Sequence, residues 1–172
     1  IIVVAIENKR FASELLEQEV QKKEIQVAGE MQKLLFPLEF PKNKYIEVAA
    51  RYEPKHLVGG DYYDFIVLNE SEYFFCIADV SGKGVAAALL MSNFQANLRA
   101  IIKYNYMKIS LEDLIKNLNE DVNNAAKGEK FITFFAAHYN GKTKTLQYIN
   151  AGHNYPILVD HQKTKLLNKG CI

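Results

Sequence analysis

The chain contains 172 residues, of which 49% are hydrophobic and 24% are charged, and this composition predicts a globular protein with one sizeable core. Its 21 Lys and Arg residues and 20 Asp and Glu residues leave a net charge of +1, so no strong field favours nucleic acid as a partner. The two cysteines, Cys76 and Cys171, lie far apart without Cys-x-x-Cys spacing, which argues against a disulfide framework or a thiolate zinc site. We therefore expect a reducing, cytoplasmic environment.

The first six residues are apolar, but they are too few to span a bilayer, and the layout of a signal peptide is absent. We expect no direct membrane contact from this segment, although a parent protein could be tethered upstream. Because the first residue is Ile rather than Met, we also expect the chain to be a fragment of something longer.

Residues 2–34 contain no Pro, a single Gly and many strong helix formers, which predicts one long helix. Its apolar residues recur at spacings of three and four, as in a coiled-coil seam with a stutter. They are Ile2, Ala5, Ala12, Leu16, Val20, Val27, Met31 and Leu34. Such a stripe either forms a homodimer or folds back on its own domain, and the sequence leaves both possibilities open. Pro37 and Pro41 end the helix, which divides the chain into a helical linker at residues 1–36 and a domain at residues 37–172.

The hydrophobic period changes from helical to alternating after Pro41. Residues 45–52 alternate and predict a strand. Residues 61–68 and 72–80 are rich in aromatic and β-branched side chains and predict two more strands, joined by a connection of hairpin length. We expect these three strands to form an antiparallel meander.

Two helices and further strands follow. Residues 85–103 form a predicted helix with many small side chains, which suit close packing on a sheet. A second helix is predicted from Ser110, a candidate N-cap with Asp113 three residues later, to about residue 126. Strands are predicted at residues 131–139, 145–150 and 156–159. This order of elements predicts an α+β fold with layered helices and antiparallel strands.

Asp61 and Asp79 are the clearest candidates for a functional site. Phe75, Ile77 and Asp79 share one face of their predicted strand, so the carboxylate lies at the end of an apolar row. Antiparallel pairing would bring Asp61 to the same edge, where two carboxylates repel each other unless a divalent cation lies between them. The alternative is structural, because Asp beside Gly-rich segments commonly forms Asx turns.

The glycine-rich loop at residues 81–84 enters a helix and could present amides to an anion, but it lacks Walker spacing, so a plain turn with Lys83 in solvent is favoured. His153 follows a strand and could be a ligand, a base or a hydrogen-bonding strut; without a second His or Cys at ligand spacing, the strut is favoured. The remaining candidates have no evident partner, and they are His56, His138 and the basic tail of Lys163, Lys165 and Lys169.

Three motifs resemble, in order and separation, the stage II sporulation protein E and RsbU-type serine/threonine phosphatases, the bacterial branch of the metal-dependent type 2C phosphatases. They are Val-Gly-Gly-Asp-Tyr-Tyr-Asp at residues 58–64, Ile-Ala-Asp-Val-Ser-Gly-Lys-Gly at residues 77–84 and Asn-Ala-Gly-His-Asn at residues 150–154. The similarity extends from about Glu30 to the C-terminus. It implies a layered α-β-β-α sandwich of antiparallel sheets flanked by helices, with two Mn²⁺ or Mg²⁺ ions at one edge.

The resemblance also implies roles for individual residues. Asp79 would bridge both ions, the backbone carbonyl of Val80 would help to bind one, and Asp61 would bind directly or through water, so Asp61 and Asp79 are the implied catalytic residues. The implied reaction is hydrolysis of phosphoserine or phosphothreonine on a STAS-type anti-anti-sigma protein by metal-activated water. The family's Thr-Asp-Gly motif and late Asp do not occur in these 172 residues. We therefore expect a C-terminally incomplete domain that binds metal weakly, and its own activity is left open.

Residues 1–8 resemble the terminal helix of a GAF sensor domain, which implies a sensor, a signalling helix and a phosphatase in series. The alternatives to an enzyme are a catalytically silent module that holds a partner and a dimerising scaffold in which the acidic pair is incidental.

Overall fold

The computed structural model describes residues 2–105, 108–160 and 163–170, with side chains described from residue 6. The described residues form three helices and six strands. In chain order these are α1 (Ile2–Lys33), β1 (Tyr62–Val67), β2 (Glu72–Val80), α2 (Gly84–Asn105), α3 (Leu111–Ala126), β3 (Ile132–Asn140), β4 (Thr145–Ala151), β5 (Ile157–Asp160) and β6 (Lys163–Leu166). The predicted α+β class is confirmed.

Strands β1 to β4 form one antiparallel sheet in which each strand pairs with its neighbour in the chain. Helices α2 and α3 pack on one face of this sheet and enclose the main core. Strands β5 and β6 form a separate two-stranded sheet. Leu167 follows that sheet and is buried against Phe135 and Ala137, which alternation places on the face away from the helices. The molecule is therefore layered, with helices over one face of the main sheet.

Helix α2 is long and apolar enough to cross a membrane by length and composition. In the fold it is a core helix, because Ala87, Met91 and Leu98 are completely buried between the sheet and α3. Of its small residues, Ala87 and Ala88 face the core, whereas Ala86, Ala96 and Ala100 are exposed. Small side chains thus permit close packing only near the start of the helix.

Helix α3 begins as the sequence predicts. Ser110 has extended backbone angles, and its hydroxyl accepts a hydrogen bond of 3.0 Å from the Asp113 amide. Leu114, Leu118 and Val122 share the buried face of the helix. The cap and the apolar spacing together fix where α3 starts and which face it buries.

The strand predicted at residues 45–52 is wrong. This segment makes only an isolated bridge between Lys42 and Glu47, and the side chain of Asn43 accepts hydrogen bonds from the amides of Tyr45 and Ile46. Those amides are therefore not available to a neighbouring strand. The meander instead consists of β1, β2 and β3, with β1 at the sheet edge.

Two smaller differences from the prediction concern the start of β1 and the basic tail. Asp61 precedes β1, which starts at Tyr62 rather than at the aspartate. The basic tail is exposed as expected, but residues 163–166 also form strand β6. Cys171 lies outside the described residues.

Helix α1 contacts the domain only near its C-terminal end. Every side chain from residue 6 to residue 28 is exposed except that of Ile25, which is half-buried. Gly29 is buried. It lies so close to the loop before β1 that a Cβ there would overlap the carbonyl oxygen of Leu57. Among the described residues the helix does not fold back on its domain, and its apolar stripe is open.

Candidate functional site

The sheet register brings Asp61 and Asp79 together. Tyr62 pairs with Ala78, so continuing the antiparallel register by one residue places Asp61 opposite Asp79. On the other side, Asp79 pairs with Thr133 of β3. Alternation directs all three side chains to the sheet face away from α2 and α3. The predicted pair of carboxylates at one edge is therefore present in the fold.

Glycine allows the loop before β1 to approach β2. A Cβ at Gly60 would lie 3.1 Å from the Val80 carbonyl oxygen and 3.2 Å from the Ala87 Cβ, tighter than most such contacts. A larger residue would therefore push the loop away from the end of β2. This close approach positions Asp61 beside Asp79 and Val80.

A side chain of helix α1 fixes the same loop. Gln32 is 7% exposed, its Nε2 donates a hydrogen bond of 2.8 Å to the Gly59 carbonyl, and its Oε1 accepts one of 3.0 Å from the Gly59 amide. Both backbone groups of Gly59 are thereby satisfied by one side chain. The end of α1 is thus connected to the loop that carries Asp61.

The charge of Asp79 acts on the carboxyl group of Asp61. The pKa of Asp61 is raised, first by partial desolvation and then by the negative charge of Asp79, with which it is close enough to share a hydrogen bond. The nearby His153 opposes this rise. Two like charges at this separation favour either a shared proton or a bound cation, and a divalent ion would relieve the repulsion.

His153 completes the polar end of the sheet. Its Nδ1 lies 2.8 Å from the Thr133 hydroxyl oxygen, and Asn150 holds its backbone by hydrogen bonds to the carbonyl and from the amide. Burial lowers the pKa of His153, while Asp79 and Asp61 oppose that shift. The predicted strut is present, but the sequence reasoning missed that this strut stands beside the carboxylates. The signal available in the sequence was the glycine at residue 152. In the structure it has a φ of 70° and turns the chain there.

A cleft of about 600 Å³ opens over this end of the sheet. Its lining includes polar residues from distant parts of the chain, among them Arg51, Tyr52, Asp61, Asp79, His153 and Asn154. The structure does not bring His56 or His138 into this cleft. The cleft is large enough for a small anionic group with its ions.

The oxygen donors at this edge suit a hard divalent cation. Asp61 and Asp79 supply carboxylates, and the Val80 carbonyl oxygen lies next to the same loop. Within the described ranges, no group of three His, Cys, Asp or Glu side chains is arranged to hold a metal ion. Two carboxylates and one carbonyl oxygen fit an ion that keeps several water ligands, as Mg²⁺ does.

The loop at residues 81–84 is a turn, as the sequence favours. Gly82 and Gly84 have positive φ values of 95° and 73°, and Lys83 is exposed. The Ser81 hydroxyl accepts a hydrogen bond of 2.9 Å from the Phe131 amide, which fastens the turn to the start of β3. The turn supports the end of β2 where Asp79 lies.

Comparison with known proteins finds a match of residues 69–171 to the family model "Stage II sporulation protein E (SpoIIE)". This range includes Asp79, Val80 and His153 and starts after Asp61. The chain is 34% identical over 138 residues to phosphoserine phosphatase RsbU of Bacillus subtilis (strain 168). That match covers 80% of this chain but only 40% of the relative, so the chain spans two-fifths of its length.

Two solved structures show the same fold. The SiaA-PP2C domain of Pseudomonas aeruginosa matches with a TM-score of 0.71 and 15% identity, covering 90% of this chain and 62% of that one. The PP2C phosphatase domain of SpoIIE from Bacillus subtilis matches with a TM-score of 0.58 and 18% identity, covering 67% and 34%. The predicted type 2C phosphatase-like fold is confirmed, and the partial coverage fits an incomplete domain.

Proposed function

Because the chain belongs to the stage II sporulation protein E family, we propose that it is a metal-dependent serine/threonine phosphatase domain of a bacterial signalling regulator. The observation that carries this proposal is the pair of adjacent carboxylates, Asp61 and Asp79, at one edge of the sheet. The name of the relative RsbU, a phosphoserine phosphatase, supports phosphoserine as a substrate group.

In this proposal Asp61, Asp79 and the Val80 carbonyl hold Mn²⁺ or Mg²⁺, and two ions are expected in a complete domain. When bound, such ions lower the pKa of a coordinated water and neutralise charge on the phosphoryl oxygens. Gln32 fixes the loop of Asp61 through Gly59. The lowered pKa of His153 favours its neutral form, so this residue adds little positive charge that would compete with a cation.

The proposed protein substrate is a phosphorylated STAS-type anti-anti-sigma protein in a cytoplasmic partner-switching pathway. A near-zero net charge on this chain gives no reason to expect nucleic acid as a competing partner. Recognition would then depend on local contacts around the cleft rather than on long-range attraction.

We also propose that α1 forms a homodimer. Its exposed apolar residues include Leu16, Val20, Val27 and Met31, which are 50% to 67% exposed and follow coiled-coil spacing. Replacing Leu16 and Val20 by Glu should convert the dimer to a monomer in analytical ultracentrifugation, whereas Gln18→Glu should not. A monomeric unmodified protein would contradict this proposal.

The GAF resemblance of residues 1–8 stays a prediction, and Ile1 lies outside the described residues.

The test of the enzymatic proposal is release of phosphate from a phosphorylated STAS protein by the full-length protein. We expect the reaction to require Mn²⁺ or Mg²⁺ and to fall by at least about a hundredfold in Asp79→Asn, because the ion loses a charged ligand. Asp121→Asn on α3 is a control for general effects of charge. Capture of the STAS protein without any phosphate release would instead favour the silent binding module.

A further inference from the structure

Tyr52 has a hydroxyl group that the fold leaves unpartnered. Among the described residues, its oxygen is the one buried side-chain polar atom that makes no hydrogen bond. Burying a hydroxyl without a partner costs free energy, so such a group commonly serves a ligand or an ordered water. The question is what lies within its reach.

The surroundings of Tyr52 hold its ring in place. The ring stacks on Phe36 at a centroid distance of 4.5 Å and an angle of 26°, and it meets the edge of Tyr63 at 6.4 Å. Its hydroxyl lies over Gly59, where an added Cβ would be 2.5 Å from the oxygen. The position of the hydroxyl is therefore determined by packing rather than by a hydrogen bond.

The neighbouring backbone is not a partner of the hydroxyl in this structure. The amide and carbonyl of Gly59 are both engaged by Gln32. Asp61 is near enough for its charge to raise the pKa of Tyr52, although burial is the larger cause, yet the two side chains do not hydrogen-bond. Tyr52 also lines the cleft that contains Asp61 and Asp79. A water or ligand oxygen that reached the hydroxyl from this cleft would satisfy it.

We propose that the Tyr52 hydroxyl donates a hydrogen bond to a water ligand of the cation held by Asp61 and Asp79, and that Tyr52 is a positioning residue of this site. The inference rests on the proposed function, because it requires that the carboxylate pair binds a cation. A neutral phenol suits this place, since it donates a proton to the water without adding a charge that would repel the ion.

The test compares Tyr52→Phe with Tyr63→Phe, which removes a hydroxyl from the same aromatic cluster on Phe36. Calorimetric titration of the full-length protein with MnCl₂ should give a dissociation constant about tenfold higher for Tyr52→Phe, as for other losses of outer-shell partners. Tyr63→Phe should bind Mn²⁺ like the unmodified protein. Thermal unfolding without metal should show no loss of stability in Tyr52→Phe, because no hydrogen bond within the protein is removed.

Three results would overturn the inference. Equal Mn²⁺ affinity of Tyr52→Phe and the unmodified protein would show that the hydroxyl does not serve the ion. Lower stability of the metal-free Tyr52→Phe variant would reveal a structural partner instead. If Mn²⁺ affinity is unchanged and only the binding of inorganic phosphate to the loaded protein weakens, the hydroxyl serves a phosphoryl oxygen and not a water.

Failure of the proposed function itself has a different signature. In that case the unmodified protein does not bind Mn²⁺, or Asp79→Asn binds it as tightly as the unmodified protein does. Either result removes the cation on which the inference rests, whereas the results for Tyr52→Phe leave the carboxylate site intact.

Discussion

Asp61 and Asp64 lie three residues apart in the chain and meet opposite surroundings. An odd spacing in extended backbone sends their side chains to opposite faces of the sheet. Asp64 faces the helices, its side chain is 0% exposed, and Arg99 of α2 binds both of its oxygens at 2.7 and 2.8 Å. The Tyr62 hydroxyl donates a further hydrogen bond to it. Asp61 faces the open cleft, and the charge that most affects it is that of another carboxylate, Asp79.

This difference separates a compensated carboxylate from an uncompensated one. The carboxylate of Asp64 is fully compensated inside the protein, so it needs no ligand and fixes α2 on the sheet. Asp61 and Asp79 repel each other, and the fold retains them side by side although the repulsion disfavours it. Uncompensated like charges in a cleft are typical of sites that bind a ligand of the opposite charge.

The largest effect is expected from removing the partner of Asp64, the compensated carboxylate. Arg99→Met leaves Asp64 buried without its partner and should lower the free energy of unfolding by about 3–5 kcal/mol. Arg51→Met is the matched control, because Arg51 and its partner Glu53 are both more than 70% exposed and such pairs contribute less than about 1 kcal/mol. Urea denaturation measures both, and similar losses in the two variants would contradict this account.

A smaller effect is expected from replacing Gln32, which supports the loop that carries Asp61. Gln32→Leu removes both hydrogen bonds to Gly59 and should cost about 1–3 kcal/mol. Faster amide hydrogen exchange should appear at residues 57–61, together with weaker Mn²⁺ binding. Gln26→Leu on the same helix loses only an exposed hydrogen bond to Glu30 and is the control. Unchanged exchange in Gln32→Leu would show that the loop of Asp61 does not depend on α1.

The carboxylate pair predicts a pH dependence of stability in the metal-free protein. The pKa of Asp61 is raised in the folded state. Its favourable contribution to the free energy of unfolding is therefore complete below the ordinary pKa of Asp and is lost as the pH rises through the raised pKa. Asp79→Asn removes the repelling charge and should raise the midpoint of thermal unfolding at pH 7 by about 2 °C, with little change at pH 3. Calorimetry at both pH values tests this, and destabilisation at pH 7 would contradict it.

An effect of similar size concerns the orientation of His153. Thr133→Val removes the hydroxyl beside Nδ1 and should cost about 1 kcal/mol. Nitrogen-15 NMR of the imidazole should change from one dominant tautomer to a mixture. Thr164→Val on exposed strand β6 is the control. A single tautomer retained in Thr133→Val would show that another group orients the ring.

Local patterns in the sequence were enough for the regular elements near the site. Strand β2 has the predicted bounds because its nine residues are mostly aromatic or apolar and a glycine turn follows. Helix α3 starts at its predicted cap. The proximity of Asp61 and Asp79 follows from antiparallel pairing of neighbouring strands, which needs no tertiary information. The roles of these residues in binding metal and the domain boundary after residue 36 stay predictions.

Contacts between distant residues could not be predicted in the same way. Asp64 and Arg99 are 35 residues apart, Gln32 and Gly59 are 27 apart, and Thr133 and His153 are 20 apart. Alternation at residues 45–52 looked like a strand, but it could not reveal that Asn43 engages two of the amides. Sequence periodicity reports which side chains share a face and is silent about competing side-chain hydrogen bonds.

The most direct test of the central claim is an anomalous-scattering experiment on crystals grown or soaked with MnCl₂. The account predicts a manganese peak between the carboxylates of Asp61 and Asp79, next to the Val80 carbonyl, and its disappearance in Asp79→Asn crystals. A peak bound elsewhere, or a pair that stays free of manganese at saturating concentration, would contradict the claim that these two aspartates form a cation site.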